Sequence, residues 1–319
     1  MKMIFDKVIS NFKKQILRSV ECVWAKIHPV MFVHSSDLML PGDTGLTSIQ
    51  LIVISRLLDM EERNSTGSHY WHIRIAELCY KKEYTSKEKE ELDMKFERFF
   101  QSMKKRGFNP SLSHISVAHL PVMGQSDGTH RMGYLLSEKA NVFVPVQILS
   151  PISWTGKSVD GISWLSQIQM PADEIKQLLE RYRKLHSEMR RYIIAVVDKS
   201  VFDQNEAALM QEIDGIGKCI EMKYADKKNN NCKKLKIPKQ YKKFFNNKEK
   251  IVILEIEIEY QILYYKRGRL KSKLTDLLAD RLYKLIGAEG YVAGTITESI
   301  ALETYLDEKY CIEPYMKNI

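Results

Sequence analysis

The stretch that decides the reading runs from Ile115 to Leu136, ISVAHLPVMGQSDGTHRMGYLL. Ser113–Ala118 and Leu120–Met123 read as short strand material, and Asp127-Gly128 supplies turn chemistry. MGYLLSEKA then carries a helix to about Lys139. Gly128 admits a left-handed or tight turn, after which the backbone N–H groups of Thr129, His130 and Arg131 point outward from a helix N-terminus. Such an end attracts phosphate through its unpaired donors and its dipole. Arg131 adds a fork suited to phosphate oxygens, and His130 a donor or acid. Asp127 offers a carboxylate to hold a divalent cation or to orient His130. The plain alternative is an Asp-Gly turn whose following helix merely turns a polar first turn to water.

Outward from this stretch, Val142–Leu149 (VFVPVQIL) reads as a buried strand, with Pro145 placing part of it at an edge or an end. Upstream, Thr85 and Glu88 form a capping box. Leu92, Phe96, Phe99 and Met103 repeat at helical steps, and Gly107 stops that helix. His72–Leu78 (HIRIAEL) alternates as a strand does. A helix near 46–62 follows turn chemistry at Pro29, Pro41-Gly42 and Gly45. Phe5, Val8, Ile9, Phe12 and Ile16 begin an amphipathic helix over 4–27, which packs on its own domain or lies on a membrane surface.

The segments FERFFQSMKKRGFNP (96–110), ISVAHLPVMGQSDGTHRMGYLL and VFVPVQIL, in this order of elements, resemble the ParB/sulfiredoxin-like superfamily over roughly 70–150, a quarter of the chain. That group contains the N-terminal domains of ParB partition proteins, the sulfiredoxins and the free-serine kinases. ParB-type CTP-binding domains carry two adjacent arginines where this chain has His130-Arg131. Sulfiredoxins need a cysteine where Thr129 stands, so sulfinic-acid repair is excluded. Asp127, Gly128, His130 and Arg131 match the Asp-Gly-x-His-Arg pattern of the free-serine kinases. The resemblance implies a mixed-sheet domain and a nucleotide-dependent phosphotransferase acting on a small hydroxylated metabolite or sugar. Gly128, Thr129, His130 and Arg131 would hold the phosphates of ATP or ADP, with CTP as the ParB-like alternative. Asp127 would bind Mg²⁺, and Glu83 would act as catalytic base beside Asp127 and His130. The same fold also implies two alternatives, a nucleotide-switched DNA-binding protein and an interaction module without chemistry.

Beyond it, residues 150–171 form a Ser/Gly/Pro/Trp-rich connector, and a helix over 172–191 follows. A strand at 192–198, a helix at 203–214, strands at 218–224 and 251–265, a helix at 270–287 and a strand at 291–295 complete a β-α-β-β-α-β order. This is consistent with a split βαβ sandwich. The organisation read is an N-terminal helical segment (1–68), the resembling domain (69–150), a connector with a long helix (151–191) and a C-terminal α/β domain (192–319). The fold class is α/β (α+β).

Charge sits in one place. The 319 residues carry a net +9, from 49 basic and 40 acidic side chains. Between Lys227 and Lys250 stand ten lysines and one acid, Glu249, so the remainder is balanced. This segment reads either as an arm for nucleic acid or another polyanion, with Lys233, Lys234, Lys236, Lys239, Lys242 and Lys243 as its cations, or as a solvated loop. Tyr241, Phe244 and Phe245 lie among them.

Several classes fall away. No apolar run of about 18 residues is present to span a bilayer, and the charged N-terminus does not read as a secretory signal. Cys22, Cys79, Cys219, Cys232 and Cys311 are widely spaced with no CxxC pair. They give neither a disulfide framework nor a cysteine zinc finger, which suits a reducing, cytoplasmic setting. GKS at Gly156–Ser158 lacks the first glycine of a P-loop, because Pro151 stands there. The histidines show no HxxxH or HExxH spacing and read as lone core or surface residues. Glu255, Glu257 and Glu259 alternate with isoleucine as a solvated strand face, and no second recognition helix of a helix-turn-helix follows the motif.

Overall fold

The computed structural model describes residues 19–20, 23–24, 27, 30–43, 45–66, 69–106, 115–120, 122–125, 128–149, 159–226, 250–266 and 269–296. The chain is a mixed α/β protein that divides into two compact units, residues 1–186 with 265–269, and residues 187–264 with 270–319. The division falls after His186, so the 150–171 connector belongs to the first unit. No helix among the described residues is long and apolar enough to cross a membrane.

In the first unit, β1 (Met31–His34) and the short α1 (Ser35–Met39) lead to α2 (Ser48–Thr66), α3 (Tyr70–Tyr80) and α4 (Ser86–Arg106). The hairpin β2 (Ile115–Leu120) and β3 (Val122–Gln125), helix α5 (Thr129–Glu138) and β4 (Phe143–Ile148) follow. Two further helices, α6 (Gly161–Gln167) and α7 (Ala172–Glu188), come last. Its own strands are ordered β1-β4-β2-β3. β4 runs antiparallel to β1 and parallel to β2, where pairing starts with Ile115 opposite Val146. Pro145 therefore stands just before the parallel ladder, where its missing N–H costs that ladder nothing. Residues 30–66 are not a separate helical segment, because β1 pairs with β4 and α2 packs on α5.

The expected strand at His72–Leu78 is helix α3. Seven residues of apparent alternation are outweighed by Trp71 and Ile75, buried one helical turn apart, and by a cap from outside the segment. The Asp59 carboxylate of α2 accepts the N–H of Trp71 at 2.8 Å, which satisfies a donor that the helix start leaves open. α4 begins at the expected capping box, with Thr85 N–H donating to Glu88 at 2.9 Å and Glu88 N–H to the Thr85 hydroxyl at 3.3 Å. Its Phe96, Phe100 and Met103 pack with Met60 and Tyr134 in one apolar cluster. Fully burying side chains of this size stabilises by roughly 1.5–3 kcal/mol each.

Gly133 sets how α5 lies on α2. A Cβ at that position would come within 2.7 Å of the Arg56 Cβ and 3.0 Å of the backbone at Arg56 and Leu57. Only a residue without a side chain lets the helices approach this closely, and that approach aims the start of α5.

The second unit contains β5 (Arg191–Asp198), α8 (Lys199–Asp214), β6 (Lys218–Asp226) and β7 (Lys250–Ile258). A hairpin of β8 (Leu263–Lys266) and β9 (Arg269–Ser272), helix α9 (Lys273–Ile286) and β10 (Gly290–Ile296) follow. Its sheet is antiparallel in the order β10-β5-β7-β6, so β7 lies between the two like-directed strands of a split βαβ unit. The strand expected over 251–265 breaks after Ile258. Buried Gln261 accepts a hydrogen bond from the Ser272 hydroxyl at 2.6 Å and ties the chain back at that point. α8 starts four residues before its expected position, because Asp198 accepts the N–H groups of Ser200 and Val201 as its cap. The glutamates of β7 do not form one solvated face. Glu255 is 0% exposed, and its β5 neighbours Ile194 and Val196 are equally buried, so this sheet is covered on both faces.

Candidate functional site

The turn before α5 adopts the conformation that its glycine permits. Gly128 has φ 82° and ψ 24°, and the glycine itself brings no side chain to cap the helix. The first intrahelical bond runs from Met132 N–H to the Gly128 carbonyl at 2.9 Å. The N–H groups of Thr129, His130 and Arg131 therefore have no carbonyl within the helix to bind. A Cβ on Gly128 would meet Ile115 at 3.0–3.1 Å and the Arg131 Nε at 3.4 Å, so Arg131 folds back over the turn.

This helix start opens on a cavity of 490 Å³. Gly128, Thr129, His130 and Arg131 form one wall, Leu92, Lys95, Phe96 and Phe99 of α4 another, and His72 of α3 a third. The cavity thus joins helix-terminal donors and two cationic side chains to an apolar, aromatic wall. Among the described residues, no carboxylate lines it.

His130 is held by rings. Its Nε2 lies 3.1 Å from the Nδ1 of His72, and it meets Phe96 and Phe99 edge-on, with centroids 5.7 and 5.9 Å away. Burial, followed by the field of Arg56, pushes the His130 imidazolium far below the usual histidine range. Burial and Arg56 likewise lower His72, to about 4. At neutral pH both rings are uncharged. His130, read from sequence as a donor or acid, is thus one half of a neutral imidazole pair.

Close enough to act electrostatically on both rings is Arg56, 6% exposed, whose Nε and Nη1 have no hydrogen-bond partner among the described residues. Its Nη1 stands 3.6 Å from the Asp59 carboxylate, one turn along α2. Burial lowers the Arg56 guanidinium and raises the Asp59 carboxyl to about 7, against the pull of Arg56. Asp59 also receives the backbone N–H of His72. One carboxylate thus caps α3 and fixes the residue that faces His130.

Of the residues chosen from sequence, Gly128, Thr129, His130 and Arg131 come together at the cavity. Glu83 does not. It is exposed in the turn between α3 and α4 and is not among the lining residues, and the element just before it is helix α3 rather than a strand. Asp127 and the lysines Lys233, Lys234, Lys236, Lys239, Lys242 and Lys243 lie outside the described residues. Most of the 4–27 helix lies outside them too. The described residues contain no group of three or more His, Cys, Asp or Glu side chains that could hold a metal ion. With no carboxylate in the described lining, these residues do not by themselves fit Mg²⁺, a hard cation that takes oxygen ligands.

Sequence reasoning missed His72, Arg56 and Asp59. His72 lies 58 positions from His130, with no spacing motif to link them. Arg56 and Asp59 stand three apart in an apolar helix (SIQLIVISRLLDM), where a charged pair on the buried side is an available signal. No family model, curated protein or solved structure matches the chain.

Proposed function

We propose that the cavity at the start of α5 binds the phosphate of a nucleotide-like ligand, as the binding step of a nucleotide-dependent phosphotransferase. One observation carries this reading: left-handed Gly128 opens the α5 N–H groups and Arg131 onto the same cavity as Phe96 and Phe99. The helix start and Arg131 suit an oxyanion through dipole, donors and charge, and Lys95 adds a second positive group. The apolar wall suits a planar ring, which stacks or packs edge-on against aromatic side chains. In such transfer the protein mainly positions the phosphates and stabilises charge, and these groups are of the kind that does so. The reading assigns no role to Glu83 and routes no step through a metal.

A thermal-shift and calorimetry panel of ATP, ADP, CTP and GTP tests it. A bound nucleotide at about a hundred times its Kd stabilises by about 2.7 kcal/mol. Arg131→Ala then weakens binding by about 1.5–3 kcal/mol, the range for a hydrogen bond to a charged group. If no nucleotide binds, or Arg131→Ala leaves the affinity unchanged, the reading fails.

A further inference from the structure

This inference rests on the reading of the α5 cavity as an anion site. We propose that the His72–His130 pair takes up one proton whenever an anion is seated at the start of α5, so that the site captures an anion and a proton together.

The geometry of the pair sets the count. A neutral imidazole carries one N–H and one lone pair. With His130 Nε2 and His72 Nδ1 3.1 Å apart, one proton lies between the rings. The two outer nitrogens, His130 Nδ1 and His72 Nε2, then hold one proton between them in either tautomeric arrangement. One outer nitrogen therefore presents a lone pair, which repels an oxyanion. A proton taken from bulk water onto that nitrogen, and returned on dissociation, converts it to a donor. No other bond is made or broken.

Burial and the cations around the pair favour neutrality while the site is empty. His72 meets Arg56 from α2, His69 at the N-cap of its own helix, the ring of Phe96 from α4 and His130 from α5. His130 meets Arg56, His72, Arg131 and the rings of Phe96 and Phe99. Lys95 lines the same cavity. Asp59 is the carboxylate next to this group; it accepts the His72 backbone N–H and pairs with Arg56. An anion at the helix start reverses the field on the cavity side. It also engages Arg131, one of the cations that oppose charging of His130. The cost of a buried imidazolium then falls, because the new charge has a counter-ion in contact.

Imidazole nitrogen NMR of the full chain, with ADP as the probe, decides the matter. At neutral pH the free protein shows neutral signatures for both rings, and saturating ADP moves them to the imidazolium position. ADP affinity falls as pH rises through the histidine range, by up to about tenfold per unit for one linked proton. That trend is opposite to the one expected from deprotonation of ADP itself. His72→Asn, which replaces Nδ1 by an amide that does not titrate, flattens the trend; if that variant does not fold, the wild-type spectra decide alone. Rings that stay neutral while ADP binds overturn the proposal and leave the anion site standing. Absence of ADP binding removes both.

Discussion

The cavity at the start of α5 and the cavity at the end of α8 are close in size, 490 and 430 Å³, and each is built where a glycine turn meets a helix terminus. Their chemistry is opposed. The first opens on a helix N-terminus and is lined by Arg131, Lys95 and two neutral histidines, with no carboxylate among the described residues. The second lies at a helix C-terminus, where Asp214, Glu257 and Glu259 outnumber Lys218. Glu257 is already paired there with Arg190 at 3.0 Å. The partial charges of the helix ends add to those of the side chains in both cases. Volume therefore says little about what each cavity can hold, whereas the sign of the field separates them: an oxyanion is favoured at the first and opposed at the second.

The comparison can be broken most forcefully at the glycines. A Cβ on Gly217 would sit 2.3 Å from the Glu257 carbonyl oxygen, so Gly217→Ala must displace β6 from β7. We expect a loss of about 3 kcal/mol or more in denaturant unfolding. Gly128→Val should cost about 2–3 kcal/mol, for a different reason. There the left-handed φ of 82° is the main obstacle, with the 3.0 Å approach to Ile115 added. Gly128→Asn should recover a good part of that loss, since asparagine tolerates the left-handed region. The same replacement at Gly217 should recover nothing. Equal behaviour of the two sites would show that the turns are not distinguished as described.

A smaller effect is expected from the charge buried beneath the first cavity. The Asp59 carboxyl is raised from 3.8 to about 7, so its stabilising contribution is present at low pH and is lost as pH rises through about 7. His72 is lowered from 6.5 to about 4, so its contribution is present above 6.5 and is lost as pH falls through about 4. Between those limits the two slopes oppose each other. Asp59→Asn should expose the histidine slope, making acid destabilisation steeper by about 1–2 kcal/mol across that window. Denaturant midpoints measured against pH provide the check, and an unchanged profile would mean that Asp59 does not titrate there.

The smallest effect sharpens the boundary of the basic cavity. Glu83 is exposed and outside it, so Glu83→Gln should change stability and nucleotide affinity by no more than about 0.5 kcal/mol. A loss of turnover in that variant, measured with any phosphoryl donor, would restore the role that the family resemblance implies.

Legibility followed the range of the interactions concerned. The capping box at Thr85 and Glu88 and the turn at Gly128 rest on patterns within a few residues and are present, whereas the expected β-α-β-β-α-β order of the second unit is interrupted by the added strands β8 and β9 before its last helix. The strand expected at His72–Leu78 was misread because the cap on Trp71 comes from Asp59 of another helix. Glu255 was read as solvated because alternation identifies two faces of a strand but not whether both are covered. Half of the candidate site was legible as one pentapeptide, and the other half was dispersed. Leu92, Phe96 and Phe99 were read as a helical apolar face, without their meeting with His130.

The amino-acid sequence by itself determined where α5 begins and which donors stand at its start, since a glycine that can enter the left-handed region, followed by a helix, settles local backbone geometry. Tertiary structure decided that His130 is uncharged, that His72 is its partner and that a buried arginine lies beneath them. Those properties depend on distances between α2, α3, α4 and α5, and on the low polarizability of the space they enclose. Contacts across dozens of residues leave no periodicity in the chain that makes them.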